Sequence, residues 1–325
     1  MSAHAQSRAP AALIERLRTA HRESWSLGDL VGVAAAWAAG LALCAIAAAI
    51  VIYMMVQGLQ YLSISEMFSH PLPGLDQSQS GGFLDPILGT VVLTILSTLL
   101  AAPIGIGIAV WLTEYGKPSG LARAVESGVE VVAGTPSIVL AIFGLLVFQE
   151  GFLSFLSYEA TDGVAFGRSF FAAAAMMSLI ALPLIVGATR EAMNGIPRHV
   201  REASYALGKD RASTIRRVLL PASRRGIGTG VALGMGRIVG DTAIVFILLG
   251  ASLRLESQGD IPGLQVLQGT GSTLTTYVYN NSPAGEGGSP DKAYAAAFVL
   301  LAIVIVLNFG IDLITRGKGP SWTRA

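Results

Sequence analysis

The chain has 325 residues, of which 52% are hydrophobic and only 13% are charged. Soluble domains carry about 25% charged residues, so this composition excludes a disordered chain and an ordinary soluble enzyme. The formal net charge of +1 argues against a nucleic-acid partner, because binding to phosphate backbones requires an excess of clustered basic residues. The single cysteine, Cys44, excludes a disulfide framework and a cysteine-based metal site.

Long stretches without a charged side chain predict membrane spans. A helix needs roughly 20 apolar residues to cross a hydrocarbon core of about 30 Å. The uncharged stretches that meet this length are residues 30–65, 86–113, 131–149, 169–189 and 293–311. A further apolar stretch, residues 227–249, is interrupted only by Arg237 and Asp241. We therefore expect an all-α integral membrane protein with six transmembrane helices, the first over about residues 30–55.

The positive charges predict the orientation of these spans. If the N-terminus is cytoplasmic, 18 of the 22 Lys and Arg residues lie in cytoplasmic segments, as the positive-inside rule requires. Both termini are therefore expected in the cytoplasm. In the N-terminal tail, residues 12–25 suit either an amphipathic helix on the membrane surface or a frayed polar tail.

Residues 190–225 form the most basic segment, with nine basic residues against three acidic ones. Its apolar residues recur at helical spacing on both sides of Gly208, which predicts a short helix, a glycine turn and a second short helix that ends before Pro221. One interpretation is a solvated, positively charged loop. The other is a helical hairpin whose apolar stripe docks into a groove of a cytoplasmic partner. The stripe consists of Val200, Ala203, Ala206, Leu207, Ile215, Val218 and Leu219.

The spacing within this segment resembles the EAA loop of ABC importer permeases. The pattern of that family is E-A-A, three residues, G, nine residues, I, one residue, L-P, and every gap length matches. The resemblance implies a type I importer permease fold and coupling helices that contact a cytoplasmic ATPase. The residues to which this role is carried over are Glu202, Ala203, Ser204, Gly208, Val218, Leu220 and Pro221. Ser204 and Val218 are mild departures from the pattern.

Further strings resemble the PstA-type permease of phosphate importers across residues 83–316. They are IGIAVWLTEYG, GTPSIVLAIFG, LPLIVGATREAMNGIPRHVREASYALG and GVALGMGRIVGDTAIVF. This resemblance covers a permease domain at residues 83–316. Before it, the charge pattern predicts a cytoplasmic tail at residues 1–28 and a first span with an external loop at 29–82, and after it a cytoplasmic tail at 317–325. The family commonly has A-R-x-x-G-E-T-A-P in the fifth span, so Asp241 and Ile244 depart from it. Gly187 stands where the family often has arginine.

The two charges in the fifth span predict a substrate pathway. A central arginine costs roughly 3 kcal/mol on insertion scales, so Arg237 is expected to face the bundle interior or a wet cavity. Asp241, four residues later, is expected on the same helical face, either as a structural ion pair or as an acceptor for the O–H of a protonated phosphate. Arginine suits phosphate oxygens because it offers a planar donor fork. The predicted pathway residues are Arg237, Asp241, Thr242, Arg190 and Ser137.

No phosphate-binding G-x-x-x-x-G-K-[S/T] motif is present, so this chain is expected to bind no cofactor and to be no enzyme. The resemblance implies that ATP and Mg²⁺ are used by a partner ATPase. The implied partners are a homologous PstC-like permease, two PstB-like ATPase subunits, an external PstS-like phosphate-binding protein and membrane lipid. The implied location is the cell membrane of a prokaryote.

Other functions also fit parts of the sequence. The chain resembles ABC permeases for other solutes, such as molybdate, sulfate or an amino acid. A self-sufficient secondary carrier would need intramembrane acids for ion coupling, and only Asp241 is available. A membrane-embedded enzyme is disfavoured because no nucleophile–base constellation is visible.

Overall fold

The computed structural model describes residues 26–71, 81–116, 119–150, 152–157, 166–250, 265–283, 285 and 289–315. The predicted amphipathic segment 12–25, residues 251–264 of the external segment and the tail 317–325 lie outside the described residues. The helices are α1 (Leu27–Tyr61), α2 (Ile64–Met67), α3 (Leu84–Val110), α4 (Gly120–Gly134), α5 (Ser137–Gln149), α6 (Phe170–Asn194), α7 (Arg198–Ala206), α8 (Arg211–Thr214), α9 (Leu220–Gly240), α10 (Ala243–Leu248), α11 (Gln265–Gln268), α12 (Leu274–Asn281) and α13 (Pro290–Thr315). Two π-helical turns, Trp111–Tyr115 and Ile215–Leu219, and one 3₁₀ turn, Ser154–Leu156, complete them.

The all-α prediction is confirmed for the described residues. Four helices are long and apolar enough to cross a membrane: α1, α3 with its π turn, α6 and α13. A fifth crossing is obtained within the described residues if the bent pair α4–α5 is counted as one span.

The chain divides into two compact units, Met1–Met55 and Val56–Ala325. In the first unit the described residues are the N-terminal part of α1, and every side chain from residue 26 to residue 53 is exposed. An apolar helix exposed on all sides is suited to a lipid environment. The second unit contains the buried core.

Helix α6 is at the centre of the second unit. It supplies much of the largest buried cluster, including Phe170, Met177 and Ile185. Helix α3 runs in the same direction, because a side chain at Gly89 would contact Phe170 and one at Gly105 would contact Ile185.

Helix α9 packs antiparallel to α6 through glycines spaced four residues apart. A Cβ added at Gly226 would overlap Ala192, and a Cβ at Gly230 would lie 2.9 Å from the Ala188 Cβ. A Cβ at Gly234 would lie 3.0 Å from the Ile185 Cγ1. Residues four apart share one face of a helix, so the glycine stripe lets the two backbones approach closely, as membrane helices often do.

The predicted third span, residues 131–149, is wrong as a single helix. Helices α4 and α5 meet at an angle of 106°. Pro136 has no N–H to continue α4, and Thr135 before it adopts the extended conformation that proline imposes, with φ −77° and ψ 129°. Helix α5 alone has 13 residues, about 20 Å of helix, which is less than the thickness of a hydrocarbon core.

The predicted fifth span, residues 227–249, is also broken. Helix α9 begins earlier, at Leu220, and ends at Gly240. Asp241 is extended, with φ −84° and ψ 125°, and α10 begins at Ala243. The prediction that a short helix ends before Pro221 is wrong as well: the π turn Ile215–Leu219 leads directly into α9. A π turn widens the backbone where the proline ring would otherwise crowd a preceding carbonyl.

Candidate coupling hairpin and substrate pathway

The predicted coupling segment forms a helical hairpin, which we define as residues 198–219. Its first arm is α7, and its second arm is α8 with the following π turn. Gly208 turns the chain with a φ of +74°, a left-handed conformation that glycine adopts without steric cost. Glu202, Ala203 and Gly208 are exposed, so three of the predicted contact residues lie at the surface of the hairpin.

Ser204 lies inside the hairpin. It is buried, and its Oγ is 2.8 Å from Thr214 Oγ1 on the other arm. Thr214 Oγ1 also donates a hydrogen bond to the carbonyl of Asp210 at 3.0 Å. Ser204 therefore joins the two arms and is placed to brace the hairpin from within.

The apolar stripe of the segment is divided between two surfaces. Ile215 and Leu219 are buried against Met193 and Ile196 at the end of α6, with Val200 at the edge of this cluster. Leu207, in contrast, is 81% exposed. Part of the stripe therefore attaches the hairpin to its own chain, and only the part near the turn is open to a partner. Ala203 and Ala206 are exposed, Val218 and Leu220 are half-buried, and Pro221 is exposed.

Two charged residues that the sequence reasoning missed hold the hairpin to the membrane helices. Arg201 Nη2 lies 2.9 Å from Glu114 Oε1, and the Arg201 Nε donates to the same oxygen at 3.2 Å. The Arg201 side chain is 19% exposed and the Glu114 side chain 7%. The sequence contained a signal for this pair, because Glu114 directly follows the uncharged stretch 86–113. A carboxylate that is buried at the end of an apolar helix requires a cationic partner.

Arg190, a predicted pathway residue, pairs with Glu126 of α4. Both side chains are about one-third exposed. The pair joins the amphipathic helix α4 to the C-terminal half of α6, next to a small apolar cluster that contains Leu112, Ala122 and Val186. In this structure the Arg190 guanidinium is therefore engaged with a neighbouring helix.

Arg237 and Asp241 do not form the expected pair on one helical face. Arg237 is exposed on α9, and within the described part of the chain it makes no hydrogen bond or ion pair. Asp241 lies beyond the end of α9, is 5% exposed, and its Oδ1 accepts a hydrogen bond from the Ile244 N–H at 3.0 Å. Arg237 and Asp241 are four residues apart but do not share a helical face, because α9 ends at Gly240, between them. Thr242, in the break, is half-buried.

The helix register gives the relative depth of the remaining pathway residues. Continuing the α9–α6 register from the glycine stripe places Arg237 opposite Ala181. Arg190 is nine residues further along α6, roughly 14 Å away along the axis. Ser137 is the first residue of α5, directly after the bend at Pro136, and it is half-buried. Arg237 and Arg190 thus lie at different levels along α6.

A groove of about 870 Å³ lies beside α9, between α9 and α13. Its walls combine small, apolar and polar residues, with Thr229, Leu233 and Gly236 on α9 and Asn308 and Asp312 on α13. The face of α9 next to Arg237 is therefore open along much of its length.

Residues 101–321 match a family described as the binding-protein-dependent transport system inner membrane component. This segment is more than half of the chain and includes the helical hairpin 198–219 and α9. The chain belongs to this family of permeases.

Two of its relatives have names that refer to phosphate transport. The permease is 34% identical over 77% of its length to "Phosphate transport system permease protein PstA 1" of Mycobacterium tuberculosis (strain CDC 1551 / Oshkosh), covering 76% of that protein. It is 28% identical over 80% of its length to "Phosphate transport system permease protein PstC" of Xylella fastidiosa (strain 9a5c), again covering 80% of that protein. The resemblance that the sequence motifs indicated is therefore confirmed.

The fold of the permease is similar to that of a solved structure, the inward-facing MetNI methionine ABC transporter, with a TM-score of 0.54. The match has 20% sequence identity and covers 72% of this chain and 94% of the other. At this identity the likeness concerns the fold alone. It confirms the type I ABC importer permease fold of this multi-pass membrane protein.

Among the residues that the structure describes, the permease has no group of three or more His, Cys, Asp or Glu side chains placed to hold a metal ion.

Proposed function

We propose that this chain is a transmembrane permease subunit of an ATP-driven phosphate importer. The observation that carries the proposal is the coupling hairpin, with Glu202, Ala203 and Leu207 exposed around a left-handed glycine turn. A basic hairpin that exposes the apolar Leu207 and the Glu202 carboxylate beside its turn is suited to a groove on a cytoplasmic partner. Relatives named as PstA and PstC proteins support phosphate as the substrate.

The partners follow from this role. The subunit works with a homologous PstC-like permease, two PstB-like ATPases and an external PstS-like phosphate-binding protein. It binds no cofactor itself, and ATP with Mg²⁺ is used by the ATPases. Closure of the ATPases around ATP moves the hairpins and switches the substrate cavity between its two sides.

In the membrane, six crossings with both termini in the cytoplasm explain the charge distribution. Helices α1, α3, α6 and α13 each cross once, the bent pair α4–α5 supplies one crossing, and α9 with α10 supplies another. Broken helices are tolerated at membrane depth where they line a cavity or are covered by protein. The membrane is the cell membrane of a prokaryote.

The substrate pathway lies along α9, with Arg237 as the principal anion contact. Its exposed guanidinium is a permanent cation with a donor fork that fits phosphate oxygens. Ser137, at the start of α5, is an additional polar contact, and Thr242 lies at the helix break. Asp241 shapes this break through its bond to Ile244, and Arg190 stabilises the packing of α4 on α6 at another level.

Asp241 also supports a second candidate substrate. Its Oδ1 accepts the Ile244 N–H at the helix break, and the carboxylate does not pair with Arg237. It is therefore less able to repel a fully deprotonated anion that binds to this arginine. An importer for sulfate or molybdate is then the second candidate.

Reconstitution tests the proposal. The chain is co-expressed with a homologous permease and a tagged ATPase, and the purified complex is placed in liposomes with the binding protein. We expect uptake of radiolabelled phosphate that requires internal ATP and external binding protein. Uptake by this chain alone without ATP would contradict it in favour of a secondary carrier, and a preference for sulfate or molybdate over phosphate would favour the second candidate.

A further inference from the structure

One guanidinium group connects the first arm of the coupling hairpin to two membrane helices. Besides Glu114, Arg201 binds the end of α6, since its Nη1 donates to the Ile196 carbonyl at 2.8 Å and its Nη2 to the Met193 carbonyl at 3.0 Å. Glu114 belongs to the π turn that extends α3. Carbonyls at a helix C-terminus lack partners within the helix and favour a cation.

The second arm of the hairpin is attached next to the first. The Arg211 guanidinium lies 5.3 Å from the centroid of the Tyr115 ring, within the range of a cation–π interaction. The two arms therefore meet successive residues, Glu114 and Tyr115. Attachment at two points resists rotation of the hairpin as well as its displacement.

The Glu114–Arg201 pair is largely removed from solvent, whereas the Arg190–Glu126 pair is about one-third exposed on each side. An exposed pair contributes little to the fixing of a geometry, while a buried pair with further hydrogen bonds is costly to break by removal of one partner. The hairpin is thereby held in a fixed orientation relative to the cytoplasmic ends of α3 and α6.

We propose that Arg201 and Glu114 are positioning residues that transmit displacement of the coupling hairpin to α3 and α6. This inference rests on the proposed function, in which an ATPase moves the hairpin. A lysine at position 201 keeps the charge but lacks the planar fork that reaches the Glu114 carboxylate and two carbonyls together. The link thus depends on the shape of the guanidinium as well as on its charge.

The first test measures coupling in the reconstituted complex as phosphate transported per ATP hydrolysed. Glu114→Ala and Arg201→Lys are expected to lower this ratio about 2- to 30-fold, the range of coupling changes for mutations between linked sites, while ATP hydrolysis continues. Glu130→Gln and Arg123→Gln, on the exposed side of α4, are the matched controls and leave the ratio unchanged. A wild-type ratio in assembled Glu114→Ala complexes would overturn the proposal, even if their yield fell, because the pair would then be only structural.

The second test does not depend on the identity of the substrate. Cysteines replace the exposed Arg217 on the hairpin and the exposed Ile104 on α3, with Cys44 changed to serine, and spin labels report the distance between them. With Glu114 present, ATP leaves this distance unchanged because the hairpin and α3 move together. In Glu114→Ala, ATP shifts or broadens the distance distribution, and an unchanged distribution would overturn the proposal. If the complex imports another anion, the proposed substrate fails while this distance test still decides the link. If no ATPase copurifies with the wild-type chain, the proposed function fails and the link fails with it.

Discussion

The Asp241 carboxylate accepts a hydrogen bond from the backbone N–H of Ile244. These two positions are the departures from the A-R-x-x-G-E-T-A-P pattern, in which the second is proline. Proline has no N–H to donate, so this bond is available only because isoleucine stands at position 244. The two departures are therefore structurally linked, since the shorter acid at 241 uses a donor that the residue at 244 supplies.

This link predicts a non-additive pair of substitutions. Asp241→Ala removes a cap-like acceptor and is expected to lower the free energy of unfolding by about 1 kcal/mol. Ile244→Pro removes the donor and leaves a buried carboxylate without that partner, at a cost of about 1–3 kcal/mol. The double variant Asp241→Glu with Ile244→Pro restores the common pattern and is expected to be more stable than Ile244→Pro alone. The double variant Asp241→Ala with Ile244→Pro should cost less than the two single effects added together, because each single substitution already removes the same hydrogen bond. Thermal unfolding of the purified subunits in detergent measures these differences, and simple additivity in this double variant would count against the link.

The exposed guanidinium of Arg237 predicts a transport defect without a folding defect. Arg237→Ala removes a hydrogen-bonding cation, and such bonds contribute about 1.5–3 kcal/mol. Uptake of phosphate by the reconstituted complex is expected to fall at least tenfold, with assembly unchanged. Arg237→Lys, which keeps the charge, should retain part of the activity. Assembled Arg237→Ala complexes that transport phosphate at the wild-type rate would remove Arg237 from the pathway.

The glycine stripe on α9 predicts a contrast between two similar substitutions. Gly226→Ala places a methyl group against Ala192, and overpacking of this kind typically costs about 1–3 kcal/mol. Gly236→Ala, on the same helix, meets nothing within 4 Å and is expected to leave the stability unchanged or slightly raised. Unfolding temperatures of the two variants test the contrast. Ala192→Gly should restore the stability of Gly226→Ala, and no such rescue is expected if the stripe is not a packing surface.

The related permeases often have arginine where this chain has Gly187. An arginine introduced at this position is predicted to gain a contact with phosphate. Gly187 is exposed on α6, and an added Cβ meets nothing within 4 Å, so Gly187→Arg is expected to fold normally. If this position faces the phosphate pathway, the added cation lowers the KM for phosphate by about tenfold, the size of one charge-assisted hydrogen bond. Gly107→Arg, at a similarly open site on α3, is the control. Equal kinetic effects of the two arginines would indicate a general electrostatic influence in place of a local contact.

Much of this protein was predictable from local sequence patterns. The scarcity of charge identified membrane helices because the cost of burying a charge in hydrocarbon acts on each residue individually. The segment from Arg198 to Leu219 was predictable as a helical hairpin because a turn glycine and helical periodicity are properties of short segments. The family assignment followed from the same strings, and residues 101–321 confirm it.

Other features depended on contacts between residues far apart in the chain. The breaks at Pro136 and Asp241 had local causes, yet hydropathy alone described both stretches as continuous spans, because the average over a window is insensitive to one missing hydrogen bond. The Glu114–Arg201 pair joins residues whose proximity is set by the packing of α3 and α7 around the end of α6. Nothing in the sequence around Arg190 indicated that packing would bring it next to Glu126. The chain's own pattern of charge and glycine determined which segments are apolar enough to span a membrane and which one turns at Gly208. Only the tertiary structure decided which charges meet, because an ion pair requires two elements to arrive at the same place with the right orientation.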